Sequence, residues 1–418
     1  MDLNIKDQQY ILFTSGNFPT GGAGATYLNL FCKGMILHER LIKVYMIKGY
    51  AFGENSERTM RKNKTSYGVS YTFLGLTKRP QNGFLKLIDD FLSFFHLLFL
   101  LPLITWKRKR VTIFVYQTDF FHSLMIYLTA YLFKIRIISF VPEFFNKVYY
   151  TGFIKKLQWF GFIFTFGRLN TLSDGLIVFS QYLRDIYLKK GVKEDRIFVQ
   201  PNLTDFEFWN VHGNKEKYTV GYSGTPGGKD GLGYLFKAVS LLKNQMPISL
   251  VVVGDSPFGK SKIPELEIVC ENLGIRNQVH FAGLVEYNQV KTYLSECKLL
   301  AITRPRNIQT QAGFPTKLGE YMALKKPVLA TDFGEMEAYF TDGNEIVFAE
   351  CNNPESIADK IRWMLQNEEI IKIIAVNGYK KAHTLLEYNT SMVKIIHYLD
   401  KLCYKIFRIK RYQNKGPQ

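Results

Sequence analysis

Lys317 and Glu320 stand three residues apart in GFPTKLGEYMALKKPVLAT, residues 313–331. Leu318, Tyr321, Met322 and Leu324 recur around them at helical spacing, and Pro315 holds a helix-opening position. The pair therefore shares one face of a helix's first turn, near the positive end of the dipole. A lysine at a helix start suits a phosphate. A carboxylate one turn further in can accept hydrogen bonds from two vicinal hydroxyls, as on a ribose. Phosphate beside ribose points to a nucleotide. Without further context the same two residues read as a solvated surface pair.

Other residues of suitable chemistry lie on glycine-rich turns. SGNFPTGGAGATY carries Gly21, Gly22 and Gly24 between a strand at 9–14 and a helix, where the backbone can approach a ligand closely. Its spacing departs from the dinucleotide fingerprint, and no acid closes the second strand, 43–49. YSGTPGGKDGLGY repeats the pattern with Gly224, Thr225 and Lys229. A flexible cation inside such a turn suits a diphosphate. Gly254 ends a strand at 248–256, and Gly283 and Leu284 follow another short strand. Arg304 and Arg306 leave the strand within 298–307, where they either reach a phosphate or sit in a solvated loop. Glu143 directly follows a strand at 135–142, in FVPEFF. A carboxylate there points into the crevice where parallel sheets bind ligands, or is a helix-start charge.

These positions need a scaffold, and the pattern of the chain supplies one. Continuous apolar strands at 111–116, 135–142 and 175–180 alternate with helical spacers, which implies a parallel sheet covered on both faces. The pattern restarts at 218. With 418 residues and 47% hydrophobic content, two domains of about 200 residues each are expected. The expected divisions are 1–200, 201–386 and a terminal segment 387–418 with a basic tail at 401–415. The tail's extreme end is expected to be disordered. Residues 54–66 read as a charged loop, and 210–217 as a linker.

Charge is unevenly placed. The net value is +18, and residues 1–200 hold 27 Lys/Arg against 13 Asp/Glu. Such a half attracts nucleic acid or an anionic membrane surface, unless the surface is merely basic. The run 91–104 is almost wholly apolar, broken by Ser93, His96 and Pro102, and shorter than the ~20 residues that cross a bilayer. It reads first as a helix buried against the sheet. The alternative is a helix lying on a membrane, with Trp106 and the basic run KRKR at 107–110 facing headgroups. FIKKLQWFGFIFTF, 153–166, adds a second aromatic and basic segment. His96 is expected in the core or at that interface, with no partner apparent.

Five scattered cysteines, Cys32, Cys270, Cys297, Cys351 and Cys403, form no close pair, against a zinc site or disulfide framework and in favour of a reducing compartment. The opening residues, with acids and an early strand, do not read as a signal peptide.

The segment 313–331 resembles the donor-binding helix of retaining glycosyltransferases of family 4, also called glycosyl transferases group 1, in which FP-x-K-x-x-E-Y-x-A-x-x-K-P-V-x-A-T recurs. RIFVQPNLTDF at 196–206 is similar to the junction that ends the first domain of that family. The resemblance implies the GT-B fold, an α/β architecture of two Rossmann-like domains with parallel sheets facing a central cleft. It implies a first domain for the acceptor, a second for a nucleotide sugar, and a last helix that crosses back to the first. Two departures stand out. The family's cation after the first glycine is replaced by Thr225, leaving Lys229. The first glutamate of the E-x7-E pattern is replaced by Ala312, so sugar contacts would come from Gln309, Gln311 or the amides of Gly313 and Phe314.

What the resemblance implies is transfer of a sugar, with retention, from UDP-sugar or GDP-sugar to a hydroxyl. The context would be cell-surface polysaccharide assembly on a lipid-linked or oligosaccharide acceptor, at the cytoplasmic face of the membrane. Glu143, Lys229 and Lys317 would serve the chemistry. Gly21, Gly22, Gly224, Thr225, Lys229, Gly283, Leu284, Gly313, Phe314, Pro315, Lys317 and Glu320 would bind the donor. No D-x-D motif stands in a convincing place, so no metal is expected. A nucleotide-sugar epimerase or hydrolase of the same fold is the alternative. A non-catalytic nucleic-acid binder has only the charge in its favour, for no such module is present.

Overall fold

The computed structural model describes residues 8–50, 62–106, 111–145, 147, 151–211, 215–256 and 260–413. The basic run 107–110, most of the loop at 54–66, part of the linker at 210–217 and the extreme end of the tail lie outside them. The chain divides into two compact units. One comprises Met1–Pro201 with Tyr388–Gln418, the other Asn202–Glu387.

The first unit is built on strands β1 Gln9–Thr14, β2 Ile42–Met46, β3 Lys62–Lys64, β4 Ser70–Phe73, β5 Val111–Tyr116, β6 Arg136–Val141, β7 Gly175–Val178 and β8 Ile197–Val199. Their order is β3-β4-β2-β1-β5-β6-β7-β8, parallel except for β3 on β4. All six residues of β5 are buried, as its apolar sequence requires of a central strand covered on both faces. Lys62–Lys64, expected in a loop, form an antiparallel edge strand instead. Backbone pairing with β4 fixes them, and their charged side chains blunt the edge. Helices α1 Ala23–Leu37, α2 Gly83–Trp106, α3 Phe120–Phe133, α4 Phe153–Phe164 and α5 Gln181–Lys189 follow the strands.

Helix α2 departs from expectation. The apolar helix runs over Gly83–Ile104, 22 residues, and is long and apolar enough to cross a membrane by length and composition. The reading of a buried helix is wrong for most of it. Only the stripe Asp89, Ser93, Leu97 and Leu101 is buried, while Phe91, Phe95, Phe99 and Leu103 are exposed. His96 does have a partner, the carbonyl oxygen of Leu74.

The second unit carries β9 Tyr218–Ser223, β10 Leu250–Val253, β11 Val279–Gly283, β12 Cys297–Ile302, β13 Val328–Thr331 and β14 Val347–Ala349 in the order β11-β10-β9-β12-β13-β14, with every pairing parallel. Its helices are α6 Phe206–Trp209, α7 Leu232–Leu242, α8 Ile263–Asn272, α9 Tyr287–Ser295, α10 Ile308–Ala312, α11 Thr316–Ala323, α12 Met336–Tyr339, α13 Pro354–Gln366 and α14 Glu368–Leu386. Alternate strand residues serve opposite layers. Val220, Leu250 and Val252 pack with Phe236 of α7 and Ile361 of α13. Val251, Leu300 and Ile302 pack with Leu318 and Met322 of α11 and Leu386 of α14.

Helix α15, Tyr388–Gln413, returns to the first unit and packs on α1. Tyr398 Oη on α15 donates to the carbonyl oxygen of Arg196 at 2.7 Å and accepts from the amide of Leu176 at 3.1 Å. The terminal helix is thus tied to the far edge of the first sheet.

Candidate functional site

In the second sheet the chain winds outward from β9 in one direction and from β12 in the other. The strands diverge between β9 and β12, and open parallel sheets bind ligands beyond the carboxyl ends at such a point. Gly224 follows β9 there, Thr303 and Arg304 follow β12, and the N-terminus of α11 is drawn in beside them. Tyr321 Oη on α11 accepts from the amide of Ser223 at 2.7 Å, which fixes the helix to the end of β9.

Lys317, in the first turn of α11, is buried, and its Nζ makes no hydrogen bond among the described residues. The ammonium lies 3.4 Å from Asp230 Oδ1 and 4.2 Å from the centroid of the Tyr222 ring. It also lies 2.9 Å from where a Cβ on Gly224 would stand. Gly224 has φ +136, a conformation reserved for glycine, so the missing side chain opens the backbone toward the lysine. Burial pushes the Lys317 ammonium down to about 8, against the pull of Asp230.

Asp230 organises this cluster. Arg304 Nε donates to its Oδ1 at 3.0 Å, and Tyr222 Oη to its Oδ2 at 3.2 Å. Burial alone would raise the Asp230 carboxyl. Lys317 and Arg304 outweigh it and hold the group well below the usual range. Two buried cations thus share one buried carboxylate, an arrangement with positive charge to spare for an anion. Lys229, half-buried in the same turn, also lends its charge to Asp230.

Glu320 lies one turn along α11. It accepts from Tyr287 Oη of α9 at 3.1 Å. Burial pushes its carboxyl up to about 7, although the tyrosine and Lys317 favour the ionised form.

The remaining residues expected to bind a donor line the same strand ends. Gly283 closes β11 with φ +69, and its carbonyl oxygen accepts from the amide of Gly254 at 2.8 Å. Leu284 and Thr225 are exposed. Gly313 is extended, Phe314 is buried, and Pro315 precedes α11 as its N-cap. The carbonyl oxygen of Phe314 accepts from Asn202 Nδ2. Gln309 is buried, Gln311 is half-buried, and Ala312 is fully buried. Arg306 does not join the cluster. It is exposed and pairs with Asp332 at 2.9 Å. Of the two loop arginines, only Arg304 turns inward.

The other candidate residues belong to the first unit. Gly21 has φ +142 and Gly22 caps α1. A Cβ on Gly24 would stand 3.0 Å from Tyr116 Oη. Glu143 lies just beyond β6, in 142–145, which have no regular structure; burial first, and then the charge of Glu143, raises the Tyr116 phenol. The first sheet also diverges between β1 and β5, beside this glycine turn.

Asp230, Tyr222 and Tyr287 were not singled out in the sequence. Asp230 left one signal, an acid directly after Lys229 in a glycine turn. Tyrosines on strand and helix faces read as core.

Residues 204–381 match the family model described as glycosyl transferases group 1. An uncharacterized glycosyltransferase of Methanocaldococcus jannaschii is 24% identical over 217 residues, 51% of this chain and 56% of that protein. The chain therefore spans about half the length of this curated relative. Among solved structures, Anabaena HepE in complex with UDP is 16% identical, with a TM-score of 0.69 over 94% of this chain and all of that one. Sucrose-phosphate synthase of Thermosynechococcus elongatus is 12% identical, with a TM-score of 0.75 over 95% of this chain and all of that one. The fold is GT-B, with two Rossmann-like units.

Proposed function

We propose that this protein is a glycosyltransferase that moves a sugar from a nucleoside-diphosphate sugar to an acceptor hydroxyl with retention, as in family 4. The observation that carries the reading is the buried Lys317 ammonium, without a hydrogen bond among the described residues, held over the open side of Gly224 at the divergence of the second sheet. The group 1 match over 204–381 and the UDP held by Anabaena HepE support a nucleotide there; the donor is a UDP-sugar or a GDP-sugar.

In this reading the second unit binds the donor and residues 1–200 the acceptor. The anomeric C–O bond breaks toward an oxocarbenium-like state while charge grows on the departing diphosphate. Lys317 and Lys229 stabilise that charge in a site shielded from water. Arg304 keeps Asp230 ionised and so keeps Lys317 in place. Glu320 holds the ribose hydroxyls and contributes by alignment. The acceptor proton passes to the departing phosphate, with Glu143 as the second candidate base. No metal takes part. The acceptor is a lipid-linked sugar of cell-surface polysaccharide, met at the cytoplasmic face of the membrane.

Calorimetry with UDP-glucose on Lys317→Ala and Glu320→Ala tests the donor site. Each should weaken binding by roughly 1.5–3 kcal/mol. Parent-like affinity in both would refute the assignment. Sugar release without acceptor, as fast as with it, would move the reading to a hydrolase.

A further inference from the structure

Helices α2, α3 and α4 lie side by side on the first unit, α2 against α3 and α3 against α4. Ser93 Oγ and His122 Nε2 meet at 3.0 Å across the first pair, and the rings of Phe120 and Phe164 stand 5.5 Å apart across the second. Their outward faces form one apolar surface. Phe99 and Leu103 of α2, Leu128 and Tyr131 of α3, and Phe153 and Phe160 of α4 are all exposed, Phe153 to 85%. A contiguous surface of this kind marks an interaction site.

Charge identifies the partner. Among the described residues, the exposed charges on these helices and their following turns are Lys86, Lys134, Lys155, Lys156 and Arg168, every one basic. Each acid on these helices or at their caps is held in an ion pair. Asp89 and Asp90 pair with Arg79, and Asp119 pairs with His122 and Lys48. The sequence adds the basic run 107–110 after α2. A second copy would set lysine against lysine, since a two-fold dimer brings the same patch to itself. An anionic bilayer meets both the apolar surface and its basic rim.

We propose that the α2–α3–α4 face seats in one leaflet of an anionic membrane, with all three helices in its plane. Helix α2 does not cross, despite its length. Leu97 and Leu101 are part of the core beneath the sheet, and Asp89 accepts from the amide of Leu76 at 2.7 Å while paired to Arg79 at 2.6 Å. Crossing would tear these contacts out. The inclusion of α3 enlarges the surface beyond the two segments that the sequence marked.

The inference rests on the reading of the first unit as the acceptor side, yet its test needs neither sugar nor acceptor. The full chain is floated with phosphatidylglycerol–phosphatidylcholine vesicles and with phosphatidylcholine alone, at low and high salt. The parent should float with the anionic vesicles, less so at high salt. Phe99→Ser, Tyr131→Ser and Phe153→Ser combined should cut partition about tenfold or more. Lys155→Glu with Lys156→Glu should weaken the preference for anionic lipid. Unfolding midpoint and UDP-glucose affinity should stay at parental values in both variants, which separates lost docking from lost folding and from failure of the donor reading. A parent that stays with the soluble fraction, a triple variant that floats as the parent does, or a parental dimer that the triple variant dissociates would overturn the proposal.

Discussion

Lys317 Nζ lies 3.4 Å from Asp230 Oδ1, and the same oxygen accepts from Arg304 Nε at 3.0 Å. Function and stability therefore pull in opposite directions at this pair. Asp230→Ala strands two buried cations and should cost roughly 3–5 kcal/mol, measured by urea unfolding of the second unit. Lys317→Met removes a buried ammonium that makes no hydrogen bond among the described residues, and keeps most of the volume. It should leave stability equal or higher, while UDP-glucose affinity falls about tenfold or more. A destabilised Lys317→Met would show that the lysine is there for the fold.

The two ionisable side chains of α11 set a pH dependence. Glu320 titrates near 7 in the folded chain, above its ordinary 4.5. The folded state then holds a proton that the unfolded state has lost, so stability falls as pH rises from about 4.5 to 7. Lys317 titrates near 8, below its ordinary 10.5. Here the unfolded state holds the extra proton, and stability rises between about 8 and 10.5. In the proposed site, donor binding wants the carboxylate and the ammonium together. UDP-glucose affinity should therefore be highest between about 7 and 8 and fall on both sides, with the limits belonging to the coupled pair. Glu320→Gln should flatten the acid limb in calorimetry across pH.

The alternation of strand and helix was legible because buried parallel strands are continuously apolar, as VTIFVY of β5 shows. Lys317 and Glu320 were legible because helical spacing places both on one face of α11. Asp230 was not, since its role depends on Arg304, 74 residues away, arriving on a neighbouring strand end. The exposed side of α2 was misread for a related reason. Periodicity reports an apolar helix, but only the neighbours decide which sides are covered.

Gly254 offers a backbone test of the site. Its φ is +118, and a Cβ there would run into the carbonyl oxygen of Gly224. Gly254→Ala should cost about 2 kcal/mol or more, read as a lower melting temperature. Because Gly224 is the wall that yields, donor affinity should fall as well. The control Gly227→Ala meets nothing within contact distance and should change neither.

Leaving-group charge in the proposed mechanism is met by Lys317 and Lys229, without a divalent cation. Transfer from UDP-glucose should then persist after dialysis against a chelator. Loss of activity that magnesium or manganese restores would require carboxylate ligands that the reading does not assign.

The polar bridge between α2 and α3 holds the apolar face in one piece. Asp119 caps α3 by accepting from the amide of His122, and its Oδ1 also meets His122 Nδ1 at 2.7 Å. The imidazole's other nitrogen reaches Ser93 Oγ of α2 at 3.0 Å. Asp119→Ala removes both the cap and the group that orients the ring. The cap alone is worth about 1 kcal/mol, and a buried imidazole left without its carboxylate adds to that. Ser93→Ala removes the far end of the bridge but leaves the cap, so it should cost less. Both should lower the melting temperature in that order. Both residues belong to the first unit, so UDP-glucose affinity should hold at the parental value while vesicle flotation weakens. Equal loss in the two variants would mean that the hydrogen bond to Ser93, rather than the cap, joins the helices.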